Sequence, residues 1–175
     1  MLQSYINNIN HNRYLKLYYT NTYNYSKLSK IIINIKFKKS VNNKFNILCT
    51  FFLFKNLFLK NGFFIILNKR SKKILGMKFI LKNQLMYKLI DTKLTYLLNQ
   101  QEIQNTVKLS SFDTNGNYVL SLKNISEYYF EKLIQNNNFK AILNNFDMSY
   151  IFIFNNNNNS QDNIFYLNMF KFYFN

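Results

Sequence analysis

The chain has no proline, no tryptophan, three glycines, one cysteine and one histidine in 175 residues. Each scarcity removes a class of explanation. A single cysteine forms no internal disulfide, and Cys49 lies in an apolar run away from any histidine or carboxylate, so it reads as a small buried hydrophobe. With His11 the only histidine, neither a zinc cluster nor a Ser-His or Cys-His catalytic pair has supporting members. The seven carboxylates are scattered, with no spacing that suggests acid–base work. Gly62, Gly76 and Gly116 belong to no phosphate-cradling motif. Asp113, Asn115 and Asn117 lack the full ligand loop and closing glutamate of a calcium site. The sequence therefore predicts no catalytic activity, no cofactor and no metal.

Acid is missing from half of the chain. Residues 1–90 hold 17 Lys or Arg and no Asp or Glu, whereas residues 91–175 hold six basic and seven acidic residues. The net charge of +16 thus comes from one half. Such asymmetry points to a polyanionic partner, nucleic acid or anionic lipid, because uncompensated like charges otherwise repel one another. A solvated positive face is the bland alternative, and nucleic acid is the stronger expectation of the two.

What is abundant is equally skewed: 19 phenylalanines, 14 tyrosines, and dense Asn, Ile and Lys. These residues share A/T-rich codons and the depleted ones share G/C-rich codons, which indicates an A/T-rich genome, most economically an organellar one. The amino terminus lacks the arginine-rich amphipathic character of a transit peptide, which fits synthesis inside the compartment of use. The expected compartment is the mitochondrion. A chain of 175 residues suits one domain that buries about two-thirds of its unfolded surface.

Residues 1–26 are polar and aromatic with weak periodicity, and are expected to form an extension or a short helix ahead of a domain over 27–175. Ile31 to Phe37 is a β-branched run read as a central strand, with Lys36, Lys38 and Lys39 at its end. Residues 45–60 place Ile47, Leu48, Phe51, Phe52, Phe54, Leu57 and Phe58 at helical spacing. Together with Phe63 to Leu67 this is the most apolar part of the chain. It fails as a membrane span, because a central lysine such as Lys55 costs about 2.5–3.5 kcal/mol on insertion and Lys60, Asn61 and Gly62 interrupt it further. A core helix and a strand, separated at Asn61-Gly62 as a helix-ending signal, fit better.

The basic cluster Lys69-Arg70-Ser71-Lys72-Lys73 follows, and then a strand over Ile74 to Leu81. Asn83 is positioned to cap a helix over 84–99, striped with Leu85, Met86, Leu89, Ile90, Leu94, Leu97 and Leu98. Tyr118 to Lys123 and Asp147 to Phe154 read as the last two strands. The tract Asn155 to Asn159 reads as an exposed loop, and Ile164, Leu167, Phe170 and Phe174 suggest a terminal helix. Strands and helices intermix without regular βαβ alternation, which predicts an α+β fold: an antiparallel sheet of about five strands against helices, in one domain.

Ser111-Phe112-Asp113-Thr114-Asn115-Gly116-Asn117-Tyr118 is a turn running into a strand, since Gly and Asn both tolerate positive φ. This segment resembles the Ser-Phe-Asp-x-x-Gly-Asn-Tyr stretch of the universal large-subunit ribosomal protein family that binds 5S rRNA in the central protuberance, the fifth in large-subunit numbering. Three further segments resemble that family in the same order. Ile31–Ile35 carries an asparagine, Asn34, where the family's first strand has one. Ile74–Lys82 resembles its Gly-x-Lys-x-Thr-Leu-Arg strand, with Met86 following where a helical methionine is expected. Phe146–Ile151 resembles its Leu-Asp-Ile-Thr-Ile strand. Together the matches span roughly residues 27 to 175.

The resemblance implies a structural role in a mitochondrial large ribosomal subunit, with large-subunit rRNA and neighbouring proteins of the central protuberance as partners and a bridge to a small-subunit head protein. The expected RNA-binding residues are Lys27, Lys30, Asn34, Lys36, Lys38, Lys39, Lys69, Arg70, Lys72, Lys73, Lys78 and Lys82, on one sheet face and its loops. Lys82 stands where the family has arginine. Ile80 replaces a threonine and Phe63 a glutamine, and the basic loop is several residues shorter than the family's tRNA-reaching loop. These departures predict that the full 5S rRNA contact is not made and that tRNA is reached weakly or not at all. Two other classes fit the charge. One is a free-standing organellar RNA-binding factor. The other is a basic membrane-surface protein, for which residues 84–99 offer only Lys88 and Lys93 on a polar face.

Overall fold

A computed structural model describes residues 26–38, 44–67, 73–94, 107–122, 146–155 and 160–170, together with Asn8, His11, Phe172 and Phe174. Among these residues the fold is α+β, with a five-stranded antiparallel sheet and three named α-helices. In chain order the elements are β1 (Lys27–Phe37), α1 (Lys44–Phe58), β2 (Phe63–Ile66), β3 (Ile74–Leu81), α2 (Asn83–Leu89), β4 (Tyr118–Leu122), β5 (Phe146–Asn155) and α3 (Ser160–Met169). The strand order is β2-β3-β1-β5-β4, so the β-branched run of β1 is central, as its composition predicts. Of the expected N-terminal extension Asn8, His11 and Ser26 are described, the first two helical. The Asn tract is described only at Asn155, which ends β5 and is exposed.

Two compact units divide the chain. One comprises Met1–Lys30, Lys82–Val119 and Phe152–Asn175, the other Ile31–Leu81 and Leu120–Ile151. In the second unit β1 alternates: Ile31, Ile33, Ile35 and Phe37 are buried, while Ile32, Asn34 and Lys36 take the intervening positions. On β3 the buried alternates are Met77, Phe79 and Leu81. α1 covers this buried face with phenyl rings, Phe51, Phe54 and Phe58 lying 6.2, 6.4 and 5.3 Å from Phe79. Phe51 also packs on Phe64 of β2 at 4.8 Å, and Phe54 meets Phe146 of β5 edge to face at 5.2 Å. Thr50 sits inside this helix with its hydroxyl donating to the Asn46 and Ile47 carbonyls, so no polar group is stranded there.

Several expectations about helix ends are corrected. α1 stops at Phe58, and the residue that turns the chain is Leu59, with φ of 51°, not the glycine three positions on. Gly62 instead lies under the Phe79 ring, where a β-carbon would come within 2.6 Å of it. Asn83 does not act as a side-chain cap. Lys82 precedes the helix, no side-chain cap bond closes that end, and Asn83 itself takes φ of 52°, which asparagine tolerates. The single helix expected over 84–99 is α2 followed by a π turn over Ile90–Leu94, with Met86, Leu89, Ile90 and Leu94 buried. Leu97 and Leu98 lie outside the described residues.

The first unit is built on Tyr118, whose ring is wholly buried among Phe112, Phe152, Phe172 and Phe174 at 4.9 to 6.0 Å. α3 supplies the buried Tyr166 and Leu167 to this unit, and the buried Phe170 follows its last turn. It also supplies a buried carboxylate, Asp162, which accepts from both the backbone N–H and the hydroxyl of Ser26 at 2.9 Å. Two donors to one buried carboxylate offset the desolvation that would otherwise keep it out of the interior.

Candidate nucleic-acid interface

In antiparallel pairing, residues directly opposite share a face. The register pairs Phe63 with Lys78 and Lys78 with Asn34, and in the next row Ile65 with Gly76 and Gly76 with Lys36. Phe63, Lys78 and Asn34 thus form one row across three strands, on the side opposite the buried Phe79. Ile80 and Ile32 pair beyond that row. The sheet of the second unit therefore has a helix-covered apolar face and a second face carrying Asn34, Lys36 and Lys78, as the sequence predicts.

A concavity of about 450 Å³ opens on that second face, bordered by Asn34, Lys36, Ile65, Gly76, Ser121 and Ser149. Its floor depends on Gly76, because a β-carbon there would collide with the Ile35 carbonyl oxygen. Asp147 also lines it, so one carboxylate stands among the lysine, serine and asparagine groups. The Oδ1 of Asn34 is buried and has no hydrogen-bond partner. A carbonyl oxygen withheld from water and left unpaired costs about 1–3 kcal/mol, so this atom favours an incoming donor. Ser121, Asp147 and Ser149 are additions that sequence reasoning misses, because no spacing along the chain links them to Asn34.

The other expected residues are distributed unevenly. Lys73 is exposed at the start of β3, and its carbonyl accepts from Leu67 N–H at 2.9 Å, which joins the two ends of the basic connection. Lys69, Arg70 and Lys72 within that connection lie outside the described residues, as does Lys39. Lys38 follows β1 and is half-buried. Lys27 and Lys30 begin β1 and Lys82 precedes α2, all three in the first unit. The structure thus brings Asn34, Lys36 and Lys78 together in the second unit.

The signature loop of the first unit has a structural explanation. Asp113 Oδ1 accepts from the backbone N–H of Asn115 at 3.0 Å and of Asn117 at 2.7 Å, and Oδ2 accepts from the Asn117 side-chain amide. Gly116 takes φ of 72°, the left-handed conformation open to glycine. Asn117 Oδ1 then accepts from Phe154 N–H on β5, and Asn163 of α3 donates to the Gly116 carbonyl at 2.9 Å. Asp, Gly and Asn at this spacing fold a loop and tie it to a strand and a helix.

No group of three or more His, Cys, Asp or Glu capable of holding a metal occurs among the described residues. Among the same residues no helix is long and apolar enough to cross a membrane. No protein-family model and no curated protein matches the chain.

Proposed function

We propose that the protein is a structural, non-catalytic component of a mitochondrial large ribosomal subunit that holds rRNA in the central protuberance, beside neighbouring ribosomal proteins and facing the small-subunit head. The observation that carries this reading is the helix-free face of the sheet. There Lys78, Asn34 and Lys36 adjoin a concavity, and the buried Asn34 oxygen lacks a donor that an RNA 2′-hydroxyl or base amino group supplies. The acid-free first half of the chain supplies the surrounding charge. On the same face Phe63, 64% exposed, and Ile80 offer RNA no hydrogen bond. The reading therefore includes a reduced 5S rRNA contact, with large-subunit rRNA or adjacent protein in its place.

Binding of the full chain to large-subunit rRNA fragments across a salt series tests the proposal. Neutralising Lys69, Arg70, Lys72 and Lys73 together is expected to lower the slope of log affinity against log salt by about 3, since each cation removed leaves one phosphate with its counterion. Asn34→Leu is expected to weaken binding at every salt concentration without changing the slope, since it removes an acceptor and no charge. Neutralising Glu127 and Glu131 instead is expected to have no such effect. Equal weakening by the basic and acidic sets would refute an RNA face in the basic half. Recovery of the protein in salt-washed large subunits separates the ribosomal reading from a free-standing RNA-binding factor.

A further inference from the structure

β2 is an edge strand of unusual exposure. Among the described residues it has one neighbour, β3, and three of its four side chains are exposed. It contains no proline, no charge and no inward lysine, the usual devices that protect an edge from pairing. β4, at the opposite end of the strand order, is largely buried. On α1 the apolar residues Leu48 and Phe52 lie one turn apart on the side turned away from the sheet that Ile47, Thr50, Phe54 and Phe58 face. Leu48 and Phe52 are 49% and 57% exposed. Helical spacing alone assigns both to the core, and the structure corrects that assignment.

We propose that the β2 edge forms a docking surface for a strand of another polypeptide, one alternating apolar side chains with Asp or Glu. The backbone of an edge strand presents N–H and C=O groups at a spacing that a peptide strand matches, and apolar side chains of that strand cover Phe63 and Ile65. Charge selects the partner. Residues 31–81 hold eleven Lys or Arg and no Asp or Glu, so a second copy of this chain would be repelled by like charge, whereas an acidic strand is attracted. RNA would leave the aliphatic groups and the edge amides without complement. Acyl chains of a membrane would leave the edge backbone unsatisfied. This inference does not depend on the rRNA reading.

The test uses the full chain and two labelled ten-residue probes of equal charge, one alternating Val with Glu and one alternating Ser with Glu. At physiological salt the Val-Glu probe is expected to bind about tenfold tighter, and to slow amide hydrogen exchange at Phe63–Ile66. Phe63→Asp and Ile65→Asp, both at exposed positions and checked for native circular dichroism, are expected to remove that preference. Equal binding of the two probes would overturn the proposal, since charge alone would then account for it. So would unchanged exchange at β2 with the Val-Glu probe bound. Protection of β2 by single-stranded RNA or by cardiolipin-containing vesicles, with none from the Val-Glu probe, would assign the surface to those partners instead.

Discussion

Tyr118 is wholly buried, and its hydroxyl has no hydrogen-bond partner. Burial pushes its pKa up to about 12, opposed by the nearby Lys108 backbone, which favours the charged form. Two consequences are measurable. Tyr118→Phe keeps the ring among its four aromatic neighbours and deletes a stranded hydroxyl, so unfolding at neutral pH is expected to cost about 1 kcal/mol more in the variant. The pH dependence also changes. A pKa raised in the folded state means that the stability held by the phenol is complete below its unfolded value near 10. That stability is lost as pH rises towards about 12. Urea melts above pH 10 should therefore weaken the parent protein more steeply than the Phe variant, and parallel curves would show that Tyr118 does not titrate this way. Around this tyrosine the sequence was legible only locally. Asn-Gly-Asn announces a turn because its backbone preferences are intrinsic. That Asn163 would hold Gly116 across 47 residues has no short-range signal, nor has the pairing of Ser26 with Asp162. Long-range polar partners become visible only once the chain is folded.

At the scale of elements, a layer of phenylalanines between α1 and β3 fixes the second unit. Phe79 is its hub, wholly buried and in ring contact with Phe51, Phe54 and Phe58. Phe79→Ala is expected to destabilise by about 3–5 kcal/mol, since neighbouring rings and a sheet cannot collapse into the space. Phe52→Ala, on the exposed side of the same helix, is expected to cost under about 1 kcal/mol. Chemical denaturation of the two variants checks both values, and similar destabilisation would mean that α1 presents a different face to the sheet. The pattern of residues 45–60 made the helix legible, because the apolar spacing is helical. It did not reveal which face is buried, because Leu48 and Phe52 are as apolar as Ile47 and Phe51. Strand β1 was legible from its β-branched run, and β4 from its alternation. The π turn after α2 was not, because one extra residue per turn leaves a stripe of leucines looking continuous.

For the whole molecule, charge and fold are in tension. Seventeen cations without one carboxylate in residues 1–90 destabilise any compact arrangement through self-repulsion, and the six basic and seven acidic residues beyond add no net relief. The candidate RNA face was legible from this imbalance and from Asn34, Lys36 and Lys78. Its concavity was not, because Ser121, Asp147 and Ser149 arrive there through strand order rather than sequence spacing. The imbalance leads to a prediction about stability that needs no partner. Added monovalent salt shortens the screening length from about 30 Å at 0.01 M to about 8 Å at 0.15 M, which weakens repulsion between separated cations. The free protein is therefore expected to melt at a higher temperature as salt rises over that range, opposite to a protein held by surface ion pairs. With an RNA ligand bound the order reverses: the complex is stabilised most at low salt, because counterion release then drives binding hardest. Melting curves of the free and RNA-bound chain across the salt series should cross. A free-protein melting temperature that falls with salt would mean that attractive pairs outweigh the repulsion, and the charge would then be internal to the fold rather than held for a polyanion.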